Sequence, residues 1–239
     1  MVEENKNIRT FLNQSYRITT NIICLLFFLT LIQVFAFRFI DSSFTMSNLN
    51  LRLKNIFSSR QYIIPKGEWR SVKDISPHLL KAVLAAEDQR FLSHRGFDYQ
   101  EIYRAAKEIF NDGKLRGAST ITMQMARTVF LWQGRSMTRK ITEAYYTVLI
   151  EFVMPKKRIL ELYLNTVDWG VGIRGAEAAS KKYFNKSAAE LTPEEAALLA
   201  AILRGPHMLS PVNPDEYILE RQKRILKSME NMHLEILLN

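Results

Sequence analysis

Cysteine is nearly missing from this 239-residue chain, which has one, Cys24, and only four histidines beside it. No disulfide can close within the chain, and a structural zinc site, which needs four clustered Cys or His ligands, is excluded. No internal repeat, low-complexity block or convincing strand pair is present, which leaves a mainly α-helical reading. Charge is absent from Ile22 to Phe37, between Arg17 and Arg38. Counted from Ile18, that run supplies the roughly 20 residues a membrane-spanning helix needs. No small-x-small cleavage site follows it, so an uncleaved anchor is expected rather than a removed signal peptide. Lys6, Arg9 and Arg17 precede the span and Arg38, Arg52, Lys54 and Arg60 follow it, so charge alone does not fix its orientation.

Acid is the third absence. Gly113 to Thr142 holds Lys114, Arg116, Arg127, Arg135, Arg139 and Lys140 without one Asp or Glu, in a chain of formal net charge +9. Such a run calls for an anionic partner: nucleic acid, anionic lipid head groups or a phosphorylated substrate. A solvated basic face is the alternative. Nucleic acid is disfavoured, because the chain is membrane-tethered and carries no recognisable nucleic-acid motif.

What is present divides the chain into a polar tail over 1–17, an anchor over 18–40, a juxtamembrane connector that begins the folded domain over 41–75 and a catalytic domain with a C-terminal helix over 76–239. A hydrophobic fraction of 47% suits one medium-sized domain plus an appendage. Ile141, Ala144, Tyr145, Val148, Leu149 and Phe152 follow i, i+3, i+4, i+7, i+8, i+11, the clearest amphipathic helix, which Pro155 ends. Further helices are expected over Lys156–Asn165, Ala176–Tyr183, from Thr192-Pro193-Glu194-Glu195 (a capping box) to Leu203, and from Asp215 to Leu237. Asn111-Asp112-Gly113 stops one helix and Gly117-Ala118-Ser119-Thr120 opens the next, where Ser119 and Thr120 could present hydroxyls and N–H groups to an anion. Ser119 as a plain cap residue is compatible with that role.

One carboxylate stands in an apolar setting. Ser76 reads as the N-cap and Pro77 as the first residue of a helix running to Glu87 and Asp88. At about 100° per residue, Leu79, Leu80, Val83, Leu84 and Ala86 form an apolar sector with Glu87 at its middle. Lost solvation raises such a carboxylate's pKa toward the range useful in general acid/base work. The alternative is a Glu near a helix end that reaches past its neighbours to solvent.

These residues then fall into a family pattern. Glu87-Asp88-Gln89-Arg90-Phe91-Leu92-Ser93-His94-Arg95-Gly96 resembles the E-D-x-x-F-x-x-H-x-G motif of bacterial peptidoglycan glycosyltransferases. Gly117 to Gln124 is similar to their G-x-S-T-I-x-Q-Q, Arg139 to Glu143 to R-K-x-x-E, and Lys156 to Asn165 to K-x-x-I-L-E-x-Y-L-N. With a matching tail through Gly175–Ser180 and Leu191–Leu199, the resemblance covers about Tyr62 to Pro214. Met123 replaces the first Gln of the pair and Thr128 a common Asn, each removing an amide. With no room for a transpeptidase domain, the chain resembles the monofunctional biosynthetic transglycosylases rather than the bifunctional penicillin-binding proteins.

The resemblance implies a lysozyme-like, two-lobed, mainly α fold with a small membrane-embedded lobe, placed on the outer side of the cytoplasmic membrane. It implies transfer of a lipid II-borne glycan strand to the 4-hydroxyl of an acceptor GlcNAc with inversion, releasing undecaprenyl diphosphate. Glu87 is the expected base and Glu143 the second functional carboxylate, a surface helix salt bridge being its alternative. Ser119, Thr120, Gln124, Arg127, Arg135, Arg139 and Lys140 are expected to bind diphosphate and sugar. Asp88, Phe91, His94, Gly96, Lys156, Glu161 and Asn165 are expected in support, with His94 as mere packing an alternative. No cofactor is implied beyond a candidate divalent cation, Mg or Mn, at the diphosphate. Cell-wall synthesis or division proteins are the protein partners suggested. A lysozyme-like glycan cleaver would also use one buried Glu, but needs no phosphate clamp or anchor; a membrane-tethered scaffold would use the basic run only to bind lipid.

Overall fold

In a computed structural model the described residues are 2–41, 45–58, 61–113, 117–132, 134 and 136–234. The chain divides into two compact units, Met1–Ile40 and Asp41–Asn239. The first is one continuous helix, α1, Val2–Phe37. The polar tail expected over 1–17 is therefore helical from Val2 on. Within α1, Phe11–Phe37 is long and apolar enough to cross a membrane.

The second unit is mainly helical, with nine α-helices among the described residues. The expected connector contains α2, Met46–Phe57, capped by the Thr45 side chain, which accepts from Asn48 N at 3.1 Å. Leu49 and Leu51 alternate and so mask the helical spacing of Leu49, Leu53, Ile56 and Phe57. Helix α3, Pro77–Glu87, starts as expected, with the Ser76 hydroxyl accepting from His78 N at 3.3 Å. It also donates to the Leu191 carbonyl at 2.9 Å. Helix α4, Tyr99–Asp112, ends at Gly113, whose φ of 64° is the left-handed value that stops a helix.

There follow α5 (Ile121–Phe130), α6 (Met137–Val153) and α7 (Lys156–Thr166). A hairpin of β1 (Asp168–Gly170) and β2 (Ile173–Arg174) comes next, where no strand pair was expected. It is too short to leave a period-two signature, and Gly172 supplies a φ of +74° at its turn. Then come α8 (Ala176–Phe184), α9 (Pro193–Ile202) and α10, which spans Glu216–Met229 and so ends short of Leu237. Leu237 lies outside the described residues.

Two packing groups result. Ala196, Ala197, Leu199, Ala200, Ala201 and Ile202 of α9 are all fully buried, so that helix is apolar around its circumference and sits between α3 and α10. Separately, α5 packs against α6 and α7. The apolar stripe of α6 lies mostly outward, Leu149 excepted. Ile141 is 67% exposed and Phe152 85%, with Tyr145 and Val148 also open, whereas Arg139, Glu143 and Thr147 lie inside beside Leu149 and Ile150. Helix α4 likewise turns Tyr103 and Phe110 outward.

Candidate active site

Glu87 is the last residue of α3 and stands where the two packing groups meet. Its side chain is only 14% exposed. One carboxylate oxygen, Oε2, accepts from the Gln124 amide of α5 at 2.9 Å; the other, Oε1, faces the Arg221 guanidinium of α10 at 3.3 Å. Burial raises the Glu87 pKa, and the Gln124 hydrogen bond and the charges of Arg221 and Arg204 offset this only in part. The carboxylate is thus buried and desolvated, with its partners on α5 and α10, and does not reach past its neighbours to solvent. The opening beside it is a cleft of about 840 Å³, lined by Glu87, Asp98, Ser119, Gln124, Arg127, Arg204 and Arg221 among others.

Asp88 lies on the cleft wall beside Glu87 and joins α3 to the start of α5. It accepts from the Ile121 backbone N–H at 3.0 Å and bonds His94 Nε2 at 2.9 Å. Thr120, not Ser119, is the N-cap of α5: its buried hydroxyl accepts from Met123 N at 3.3 Å and donates to the Gly96 carbonyl at 2.6 Å. The Thr120 hydroxyl is therefore committed to the fold rather than offered to substrate. Gly96 is required by close approach, since its φ is +87° and a Cβ there would meet Thr147 Cγ2 at 2.7 Å. The two departures from the family pattern have ordinary places: Met123 is buried, and the Thr128 hydroxyl donates to the Gln124 carbonyl at 3.0 Å.

The cationic side is built on α6. Glu143 is fully buried, and each of its oxygens holds a cation, Arg139 at 2.8 Å and Lys140 at 2.7 Å. A surface salt bridge is excluded by that burial. Lys140 also donates to the Ser119 hydroxyl at 3.2 Å, which brings it to the cleft rim. Arg139, expected in the phosphate clamp, is buried against Glu143 and does not line the cleft. Its geometry follows from i, i+4 spacing on one face of α6. Arg127 does line the cleft and is in no ion pair among the described residues. Arg135 lies outside the described residues.

The remaining residues tie the elements together. Lys156 sits 4.5 Å from the centroid of the buried Phe91 ring and pairs with Glu151 at 2.7 Å, which in turn accepts from Thr122 at 2.5 Å. Asn165 accepts from Arg70 N and donates to Arg70 O, each at 2.8 Å, and Glu161 accepts from Val72 N at 2.8 Å. These three hydrogen bonds fix the segment entering α3. Among the described residues, the acidic groups near the cleft are engaged as follows. Both Glu143 oxygens are taken by cations. Asp88, His94 and Asp98 lie close together, but Asp88 is bonded to Ile121 N–H and Asp98 to the Arg90 guanidinium and Glu101 N–H. Burial would raise the Asp98 pKa, yet those bonds from Glu101 and Arg90 hold it below the usual range, so it is engaged as an anion.

Three residues near Glu87 were not among those expected from the sequence. Tyr163 is buried and donates to Gln124 Oε1 at 3.2 Å; Arg221 and Arg204 bring positive charge from the C-terminal part of the chain. Tyr163 lay inside a recognised motif, whereas nothing local in Glu220-Arg221-Gln222-Lys223-Arg224 singles out one arginine.

A transglycosylase family profile matches residues 57–230, which include every helix that contributes to this site. A biosynthetic peptidoglycan transglycosylase of Shewanella oneidensis is 44% identical over 207 residues, 87% of this chain and 88% of that protein. One of Mannheimia succiniciproducens is 40% identical over 232 residues, 97% of this chain and 93% of that protein. One of Caulobacter vibrioides is 48% identical over 160 residues, 67% and 70% of the respective chains. A desolvated carboxylate opening on a cleft walled by arginines and carboxylates, inside a match of this extent, places the chain in the transglycosylase family.

Proposed function

We propose that this enzyme, a peptidoglycan glycosyltransferase, polymerises lipid II by a single inverting displacement. The 4-hydroxyl oxygen of an acceptor GlcNAc attacks C1 of the donor MurNAc; the C1–oxygen bond to undecaprenyl diphosphate breaks, and the diphosphate leaves with the bonding electrons. Glu87 takes the hydroxyl proton, a contribution of roughly 10²–10⁴-fold. Arg127, Lys140 and Ser119 face the diphosphate, where an arginine can grip two phosphate oxygens at once. Glu143 holds Lys140 toward that side and is neutralised by Arg139 in return.

The observation that carries this reading is Glu87 itself: one carboxylate at the edge of an apolar core, raised in pKa by burial, opening on a cleft with cations on its walls. A glycan cleaver has no comparable use for those cations. The apolar helix α1 and the outward apolar side chains of α4 and α6 support work at a membrane; the family resemblance puts that work on the outer side of the cytoplasmic membrane, where the growing strand lies. The test is polymerisation of purified lipid II by the detergent-solubilised chain. Long glycan should form, undecaprenyl diphosphate should be released, and preformed strands should stay full length. Shortened strands without polymer would sink the proposal.

A further inference from the structure

The two oxygens of Glu87 do not have equal surroundings. Oε2 receives the Gln124 amide N–H at 2.9 Å, while Oε1 has only the Arg221 guanidinium at 3.3 Å, a group that also donates to the Ala201 carbonyl at 3.1 Å. Behind Gln124, the Tyr163 hydroxyl donates to the amide oxygen at 3.2 Å. An ionised carboxylate can only accept, so the amide must turn its NH₂ toward Glu87, and its oxygen is then left for a donor. Tyr163 is that donor, and its ring is wholly buried, so it cannot trade Gln124 for water.

We propose that Gln124 and Tyr163 are a positioning pair that fixes Oε2 of Glu87 and leaves Oε1 as the oxygen that takes the acceptor's proton. In the transfer the acceptor O–H bond breaks as its oxygen bonds C1, the proton passes to Oε1, and the diphosphate departs with the electron pair of the broken C1–O bond. Gln124 keeps its bond to Oε2 throughout, so no buried polar group is left without a partner as the charge is lost. Gln124 thus acts through Glu87 rather than on the sugar, and Tyr163 acts through Gln124. The inference rests on Glu87 being the base.

The other groups that face Glu87 are Asp88 at the end of its own helix, Arg127 on α5, Arg204 after α9 and Arg221 on α10. All are unchanged by replacing Gln124 or Tyr163. The amide's donation favours the ionised carboxylate, so its loss must raise the Glu87 pKa and move the acid limb of turnover to higher pH.

The experiment is the pH profile of lipid II polymerisation by the full-length enzyme in detergent, for wild type, Gln124→Met, Tyr163→Phe, the double variant and Glu87→Gln. Gln124→Met should move the acid limb up by about one pH unit. Tyr163→Phe, which keeps the ring's packing, should move it the same way by less. The double variant should match Gln124→Met alone, because the neutral Tyr163 hydroxyl bonds Gln124 and not the carboxylate. A merely structural pair would lower turnover equally at every pH. Profiles that superimpose on wild type after scaling, or an added shift in the double variant, would overturn the pairing. Glu87→Gln separates the two levels. If it retains turnover, the base assignment fails; if it is inactive while the other variants keep the wild-type limb, only the pairing fails.

Discussion

Glu143→Gln should be costly to the fold as well as to catalysis, and the size of the cost can be worked from its surroundings. The side chain is fully buried, with Arg139 on one oxygen and Lys140 on the other. Removing one partner of a buried ion pair costs about 3–5 kcal/mol, chiefly because the other charge is left uncompensated. Lys140 is 43% exposed and can turn its ammonium to water, whereas Arg139 is 11% exposed and cannot, so the loss falls on Arg139 and the low end applies. About 3 kcal/mol in a domain of this size lowers Tm by about 6–12 °C. The assay is thermal unfolding in detergent beside lipid II turnover. A second variant separates charge from chemistry: Arg139→Met with Glu143→Leu removes both charges, along with the Arg139 Nε–H that is buried without a partner among the described residues. Apolar replacement of a whole buried pair is often neutral, so this variant should recover most of the lost Tm and still be inactive, with Lys140 unheld. Glu143→Gln melting within about 1 °C of wild type would refute the buried-pair reasoning.

Glu87→Gln should lower turnover at least about 10²-fold while lipid II still binds. Its stability effect has a definite sign: a carboxylate whose folded pKa is raised favours the fold less as pH climbs from the ordinary carboxylate range through that raised value. The variant's Tm should therefore equal or exceed wild type at neutral pH, the advantage shrinking on acidification; a large loss of Tm at neutral pH would contradict it. Gly96→Ala should cost on the order of 3 kcal/mol, from its φ of +87° and the overlap with Thr147, read by denaturant unfolding. Arg127→Glu should weaken lipid II binding at least about tenfold, whereas Lys227→Glu on the exposed side of α10 should leave it near wild type; equal losses would mean a diffuse basic surface.

Elements set by local chemistry were legible before any coordinates. Ser76 with Pro77, and Thr192 with Pro193 and Glu195, mark helix starts through bonds between residues two or three apart, and those starts are where the sequence puts them. The same locality made Glu87 legible, since the apolar sector it shares on α3 is buried, although the groups that hold its carboxylate come from α5 and α10. Helix α6 shows where that reasoning stops. The period of Ile141, Tyr145, Val148 and Phe152 establishes an apolar face, but periodicity carries no information about which face meets the core. Here the inward face is organised around Glu143, Arg139 and Thr147, and the apolar stripe is open. Inward-facing apolar residues are the rule only when water is the surroundings.

The site divides in the same way. Asp88, Thr120, Gly96 and Lys140 were named from motifs, yet what each does depends on a neighbour that spacing cannot supply. Thr120 looked available to an anion because its position at a helix start is local information; that Gly96, 24 residues earlier, takes its hydroxyl is not. Arg221 reaches Glu87 across 134 residues of chain, from a helix whose other basic residues point elsewhere. A motif therefore identifies residue types held for chemistry, while the assignment of each to substrate, base or scaffold follows from packing α10 against α3 and α5 against α7. Glu87 sits at the junction of those two contacts, so the protonation of the base depends on the assembly of both helix groups, and a substitution that loosens either one should change the pH dependence of turnover before it abolishes the fold.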